Sequence, residues 1–387
     1  MLDFTCRNPR SRRRLVGLST VDVVLASARF YSSLPVVGKH LEPFAGLTAM
    51  ALWGGHYAPT ALRAAVLRRT RVGAALPPDA TIDPAIDPDA HVRGTLVPPF
   101  VRARAQRRRC LYRSSIRYGD HPAQLLDVWR LPELPSEPAP VLLFVPGGAW
   151  VQGTRVLQGH TLLSRLVKQG WVCLTMDYRV SPVHRWPRHI ADVNAAIAWT
   201  RANVDQYGGD RDFVAIAGCS AGGHLAALAG LTTGDPAFRG ELAEDADTSV
   251  DAVVGIYGRY DWEDRSTPTR RNFQAFLERV VMRRSQYRHP EDFAAASPLA
   301  RIHENAPPFF LIHGEQDTII PVGEARQFHF ALRAVSRNPV RYSEIPRAGH
   351  AFDLVDTSHA RRCAVETTRF LDEVRDHHVE HRPMTAV

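Results

Sequence analysis

A serine set between small residues, Gly218-Cys219-Ser220-Ala221-Gly222, follows directly on the apolar run Phe213–Ala217. A helix-like stretch, Gly223–Leu231, leaves it. Strand, tight turn and helix in that order predict a nucleophile elbow, in which glycines beside the serine let its hydroxyl stand exposed. A serine hydroxyl is a weak nucleophile at neutral pH. It needs a base, and the base needs an acid to orient it. Downstream, the apolar run Phe309–His313 ends in Gly314-Glu315-Gln316-Asp317, and the run Val340–Ile345 ends in Pro346-Arg347-Ala348-Gly349-His350. Both groups fall just past predicted strand ends, where open α/β sheets place their sites. Asp317 and His350 are therefore the expected acid and base, with Glu315 and Asp353 as the other acids in reach. Upstream, Val145-Pro146-Gly147-Gly148-Ala149-Trp150 follows the run Val141–Val145. Its glycines let backbone approach a ligand, so the N–H groups of Gly148 and Ala149, with that of Ala221, are the expected donors to an oxyanion. Cys219 adjoins the serine but is expected to point inward.

The elements that must hold these groups are legible as alternation. Short runs at 124–131, 141–145, 171–176, 213–217, 250–257, 309–313 and 340–345 read as strands. The apolar continuity of 171–176, 213–217, 250–257 and 309–313, without alternation, suits parallel strands buried on both faces. Between them, 189–206, 323–335 and 356–377 carry apolar residues at helical spacing. The pattern predicts an α/β fold with a mostly parallel sheet covered on both sides. Residues 260–297 interrupt it and hold Trp262, Phe273, Phe276, Leu277 and Val281 among many arginines. That stretch is expected to form a small cap, with Trp150 and Trp262 lining a substrate pocket beneath it.

Composition narrows the function. The 387 residues are 45% hydrophobic and 23% charged, which is the make-up of a folded globular chain. The net charge of +8 is concentrated: residues 1–110 hold 17 Lys and Arg against 7 Asp and Glu, and the remainder is close to neutral. A nucleic-acid enzyme would carry its basic residues around its chemistry, so that class is excluded. The five cysteines stand singly, without zinc spacing, and no acidic cluster suggests a metal ion; neither metal nor cofactor is expected.

The N-terminal part reads separately. Residues 1–75 combine arginine clusters with apolar stretches, including Pro43–Leu62, which has no charged residue, and are expected to form a helical extension. Residues 76–110, rich in proline and arginine, are expected to be a linker, leaving 111–387 as the catalytic domain. Apolar patches flanked by arginines point to an anionic membrane surface as a partner of residues 1–110 and to a membrane-associated or cell-envelope location. A twin-arginine export signal and a spanning helix at 43–62 are the competing readings.

The ordered set Pro146-Gly147-Gly148-Ala149-Trp150, Asp177-Tyr178-Arg179-Val180-Ser181-Pro182, the Ser220 elbow, Asp317 and His350 resembles the hormone-sensitive-lipase-like carboxylesterases of the α/β-hydrolase superfamily, particularly bacterial cell-envelope esterases. The likeness runs from about Leu111 to His377. It implies an α/β-hydrolase fold and a serine carboxylesterase or lipase acting on small-molecule or lipid esters through an acyl-enzyme, with no cofactor. Formamidases and prenylcysteine methylesterases use the same triad and stand as alternatives, as does a hydrolase-fold binding module without catalysis. The family usually writes the oxyanion loop His-Gly-Gly-Gly; here Pro146 and Ala149 replace its first and last residues. Both changes keep the backbone donors, while the Ala149 methyl occupies space near the acyl carbon. The Asp177–Pro182 stretch, in such enzymes, buttresses the oxyanion loop.

Overall fold

The computed structural model describes residues 97–133 and 136–381. One eight-stranded sheet organises them, in the order β1-β2-β4-β3-β5-β6-β7-β8. β1 (Leu111–Arg117) and β2 (Leu125–Trp129) form an antiparallel hairpin, and β2 lies antiparallel to β4 (Val172–Met176). From β4 onward every neighbour is parallel: β3 (Ala139–Val145), β5 (Gly209–Cys219), β6 (Ala252–Ile256), β7 (Phe309–Gly314) and β8 (Val340–Ile345). β3, β4, β6 and β7 are buried at every residue. This is what continuous apolar runs produce when helices cover both faces.

The apolar residues divide into two clusters, one on each face of the sheet. Leu143, Val145, Ile216 and Val253 point to one, and Leu142, Phe144, Ala217 and Val254 to the other. This is the period-two alternation of a strand whose two sides both meet helices. The covering helices are α1 (Pro99–Cys110), α2 (His160–Lys168), α3 (Arg188–Asn203), α4 (Ala221–Leu231), α5 (Pro268–Phe276), α6 (Pro290–Ala295), α7 (Gly323–Val335) and α8 (Ser358–His381).

Two elements depart from the sequence reading. β1 is mostly exposed and polar, so nothing apolar marks it. It is held by its ladder to β2 and by Asp127, which accepts hydrogen bonds from Ser114 Oγ at 2.8 Å and Ser115 N at 3.0 Å. Within the stretch read as a linker, Pro99–Cys110 is instead a docked helix. Pro99 suits its first turn, where no N–H is needed. Of its five arginines, Arg104, Arg108 and Arg109 are exposed and two are tied down: Arg102 pairs with Asp356 at 2.7 Å and Arg107 with Asp127 at 2.9 Å. Both carboxylates are fully buried, so these cations compensate interior charge and do not merely dress the surface. The extension at 1–75, the rest of the linker and the candidate span at 43–62 lie outside the described residues. Among the described residues no helix is long and apolar enough to cross a membrane.

Candidate active site

The site is built at the C-terminal ends of β3, β5, β7 and β8. β5 stops at Cys219 and α4 begins at Ala221, leaving Ser220 alone to make the turn, at φ 56° and ψ −120°. A side chain there is strained, and the neighbours hold it. Ser220 N donates to Ile256 O at 2.9 Å, and His224 N donates to Ser220 O at 3.1 Å. The flanking glycines are required by contact: a Cβ on Gly218 would lie 2.2 Å from Gly222 O, and one on Gly222 would lie 2.1 Å from Val145 O. A larger residue at 222 pushes the elbow off β3, and one at 218 collides with the first turn of α4.

Parallel pairing of β7 with β8 sets Gly314 opposite Ile345, so the two loops that follow emerge side by side. They carry Asp317 and His350 to the serine. Ser220 Oγ–H donates to His350 Nε2 at 2.9 Å, and His350 Nδ1–H donates to Asp317 Oδ2 at 2.6 Å. The ionised carboxylate can only accept, which fixes this tautomer. Asp317 Oδ1 accepts from Ile319 N and Ile320 N, each at 2.9 Å. Burial alone would raise its pKa; the neighbouring His350, with hydrogen bonds from His313 and His350, overrides burial and holds the carboxyl well below the usual carboxylate range. The other two acids are engaged elsewhere. Glu315 accepts from Arg347 N at 2.9 Å, and Asp353 accepts from the hydroxyl of Tyr257.

The loop after β3 is a strained turn. Gly148 has φ 136°, and the next two residues, Ala149 and Trp150, sit at φ 52° and 58°. A Cβ on Gly148 would meet Gln152 O at 2.2 Å, so glycine is obligatory there. Gly148 O closes the turn by accepting from Val151 N and Gln152 N at 3.0 and 2.9 Å. Among the described residues no acceptor engages the N–H groups of Gly148, Ala149 or Ala221, while that of Gly147 is spent on Gln158 Oε1 at 2.6 Å. The turn that carries the N–H groups of Gly148 and Ala149 adjoins the elbow, since a Cβ on Gly147 would lie 3.0 Å from Ser220 Cβ.

A buried frame holds that turn. Tyr178 donates its hydroxyl to Pro146 O at 3.1 Å, and Ser181 N donates to Trp150 O at 2.8 Å, so the Asp177–Pro182 stretch does lie against the loop. His189 Nε2 reaches Trp150 O at 3.1 Å. The Trp150 indole donates to His224 Nδ1 at 3.3 Å, and His224 Nε2–H donates to Ala296 O at 2.8 Å, which anchors the loop to the insertion. Gln158 went unnoticed in the sequence. Its Oε1 also accepts from the Cys219 thiol at 3.1 Å, stapling the loop to the elbow. Cys219 is fully buried and burial pushes its thiol pKa up, so it is a packing donor and no nucleophile.

Trp150 and Trp262, expected to line a pocket, are closed in an aromatic cluster. Trp262 stacks on His224 with centroids 4.3 Å apart and meets Trp150 edge-on at 4.9 Å. They are 2% and 0% exposed. The insertion at 260–297 is docked through the same cluster: Phe273, Phe276, Leu277, Val280 and Val281 are all buried, and Trp186 N donates to Val281 O at 3.0 Å.

The buried histidines of this frame predict acid sensitivity. Burial lowers His189 and His224 to about 3. Burial, with Arg107 nearby, lowers His160 to about 4. In the unfolded chain each takes up a proton near pH 6.5. Below that pH the unfolded state therefore binds more protons than the native one, and stability falls as pH falls. Asp317 adds a second loss below about pH 4, where unfolded carboxylates protonate but the native one resists. Asp177, raised to about 6 by burial, works in the opposite direction, as do Glu263, Glu324, Asp353 and Asp372, which burial also raises. His184, lowered to about 4 chiefly by burial, adds a fourth histidine to the loss. Melting temperature should decline steadily from about pH 6.5 to 4, and His224→Phe, which removes one titrating group, should flatten the decline. A melting temperature constant across that range would refute the neutral-histidine frame.

The chain matches the BD-FAE family model over residues 126–332. It is 54% identical to "Esterase LipC" of Mycobacterium tuberculosis, over 94% of this chain and 93% of that protein. The chain belongs to the BD-FAE family of α/β-hydrolase carboxylesterases. This carboxylesterase is also 45% identical to "Esterase LipQ" of the same organism, over 68% of this chain and 63% of that one. Its fold is shared with a truncated carbohydrate esterase from gut microbiota, at a TM-score of 0.57 and 24% identity, covering 68% of this chain and 98% of the other. The expected fold and esterase class are thereby met.

Proposed function

We propose that the esterase hydrolyses carboxylic esters through an acyl-enzyme on Ser220. The observation that carries this reading is the unbroken chain Ser220–His350–Asp317, with links of 2.9 and 2.6 Å, together with the unspent backbone donors of the elbow and the adjoining turn. His350 Nε2 takes the serine proton as Oγ attacks the ester carbonyl. The resulting oxyanion is received by the N–H groups of Ala221, Gly148 and Ala149. His350 then gives its proton to the departing alcohol, and water repeats the sequence in reverse to release the acid. Asp317 stays ionised throughout, orients the imidazole and stabilises its cation. Base, nucleophile and oxyanion donors are all supplied by the chain, so the mechanism asks for no cofactor. The insertion at 260–297 serves as a cap, and its Trp262 packs against Trp150 of the oxyanion loop and supports that loop. Hydrolysis of a nitrophenyl acetate should show a burst of nitrophenol approaching one per enzyme before the steady state, because the good nitrophenolate leaving group makes acylation faster than hydrolysis of the acetyl-enzyme. A progress curve linear from zero time, with saturating substrate and fast mixing, would count against acyl-enzyme accumulation. N-Formylkynurenine and a prenylcysteine methyl ester, tried in the same assay, test the amidase and methylesterase alternatives.

We further propose that the esterase works at an anionic membrane surface through residues 1–110. The described end of that region supports it: α1 exposes Phe100 and Val101 beside its arginines. Each basic residue near an anionic surface contributes about 1 kcal/mol of attraction, and salt screens it. The full chain should sediment with phosphatidylserine-containing vesicles and dissociate at high salt. Equal binding to neutral vesicles, insensitive to salt, would rule out the electrostatic part.

A further inference from the structure

Behind the triad acid lies a second histidine that the reaction sequence does not use. His313 sits near the end of β7, is fully buried, and approaches the same Asp317 oxygen that accepts from His350. Its Nε2 lies 2.8 Å from Ile320 O and 3.3 Å from Asp317 Oδ2. Both neighbours can only accept, so Nε2 carries the hydrogen. Nδ1 has no hydrogen-bond partner among the described residues, so the ring spends its only polar contact on the acid loop. That contact closes a small circuit. His313 fixes the carbonyl of Ile320, and the N–H of the same Ile320 donates to Asp317 Oδ1 at 2.9 Å. The loop between them starts from the strand that carries His313, so the ring clamps the far end of the loop back onto its root.

The clamp has a further support. Glu324, in the first turn of α7, is buried four residues beyond Ile320, and Arg259 Nη2 lies 3.2 Å from its Oε1. Arg259 in turn lies over the Phe273 ring of the insertion at 3.6 Å. The acid loop is therefore held from its root by His313 and from its exit by a buried ion pair that reaches the insertion.

We propose that His313 is a positioning residue: its Nε2–H holds Ile320 and faces Asp317, and so fixes the carboxylate that orients His350. The proposal rests on the reading of Ser220, His350 and Asp317 as the triad. It separates His313 from an ordinary core histidine, because it assigns the effect to one N–H and not to the volume of the ring. Glutamine can place an amide N–H near the position of Nε2; leucine fills the space without it; asparagine keeps an amide but is one bond shorter.

The test compares His313→Gln, His313→Leu and His313→Asn with the wild-type chain on a nitrophenyl ester and, separately, by the rate of fluorophosphonate labelling. His313→Leu should lose about tenfold to a hundredfold in kcat with KM changed less than about twofold, and His313→Gln should stay within about threefold of wild type. Labelling rates should fall in parallel with kcat. A folded His313→Leu with wild-type kcat would overturn the proposal, as would equal losses in the leucine and glutamine variants. Should the leucine variant fail to fold, the asparagine variant replaces it: a loss in asparagine that glutamine does not share supports the proposal, and equal behaviour of the two overturns it. Wild-type labelling at Ser220 serves as the control that keeps the two readings apart. If it is absent, the triad reading fails; if it is present and His313→Leu labels at the wild-type rate, only the clamp fails.

Discussion

Ser220→Ala and His350→Ala should each reduce kcat for ester hydrolysis by a factor on the order of 10⁴ to 10⁶, and the double variant should be scarcely worse than either single one. The two residues act as one unit. Without the hydroxyl the imidazole has no proton to take, and without the imidazole the hydroxyl at 2.9 Å is not activated. What remains in either variant is the preorganised turn at Gly148–Trp150 and the N–H of Ala221, which receive an oxyanion formed by attack of water. Steady-state kinetics on purified variants, with folding checked by melting temperature, reads the outcome. Losses that multiply in the double variant would mean that Ser220 and His350 serve different steps.

The second large effect belongs to the acid. Asp317→Asn should lower kcat by about 10⁴ while leaving a residual rate above that of Ser220→Ala. The asparagine is nearly isosteric, so Ile319 N and Ile320 N can keep their acceptor. What changes is the group 2.6 Å from His350 Nδ1. An amide presents a donor or a weaker acceptor there, which favours the wrong imidazole tautomer and removes the charge that stabilises the imidazolium. Glu315→Gln should be nearly silent, because its carboxylate serves the backbone of Arg347. A fully active Asp317→Asn beside an inactive Glu315→Gln would transfer the role to Glu315.

The meeting of Ser220, His350 and Asp317 is legible in the sequence to the extent that it depends on chain order at strand ends. β3, β4, β6, β7 and the Phe213–Cys219 part of β5 announce themselves because strands buried on both faces must be apolar throughout, and residues placed just past the ends of parallel strands converge on one edge of the sheet. Ser220, Asp317 and His350 are of that kind. Elements that owe their stability to polar partners far along the chain leave no such trace. β1 and α1 both depend on Asp127, and α1 also on Asp356, which lies 254 positions from Arg102. Nothing in a run such as Arg102–Arg109 distinguishes arginines awaiting buried carboxylates from arginines on a solvated tether. The same holds within the site. Gln158 matters because it meets the backbone of Gly147 and the thiol of Cys219 at once, a coincidence that only the folded chain provides. Trp150 and Trp262 carry the converse lesson. Their apolarity and proximity to the chemistry suggested contact with substrate, and the fold uses that apolarity to hold the oxyanion loop and the insertion together.

The central claim is that one side chain, Ser220, becomes covalently acylated by the ester. Treating the full-length protein with a fluorophosphonate and mapping the adduct by peptide mass spectrometry tests it most directly. The account predicts a single adduct per chain, on Ser220, formed in step with loss of esterase activity and absent from Ser220→Ala. An adduct on another residue, or full loss of activity with Ser220 unmodified, would contradict it.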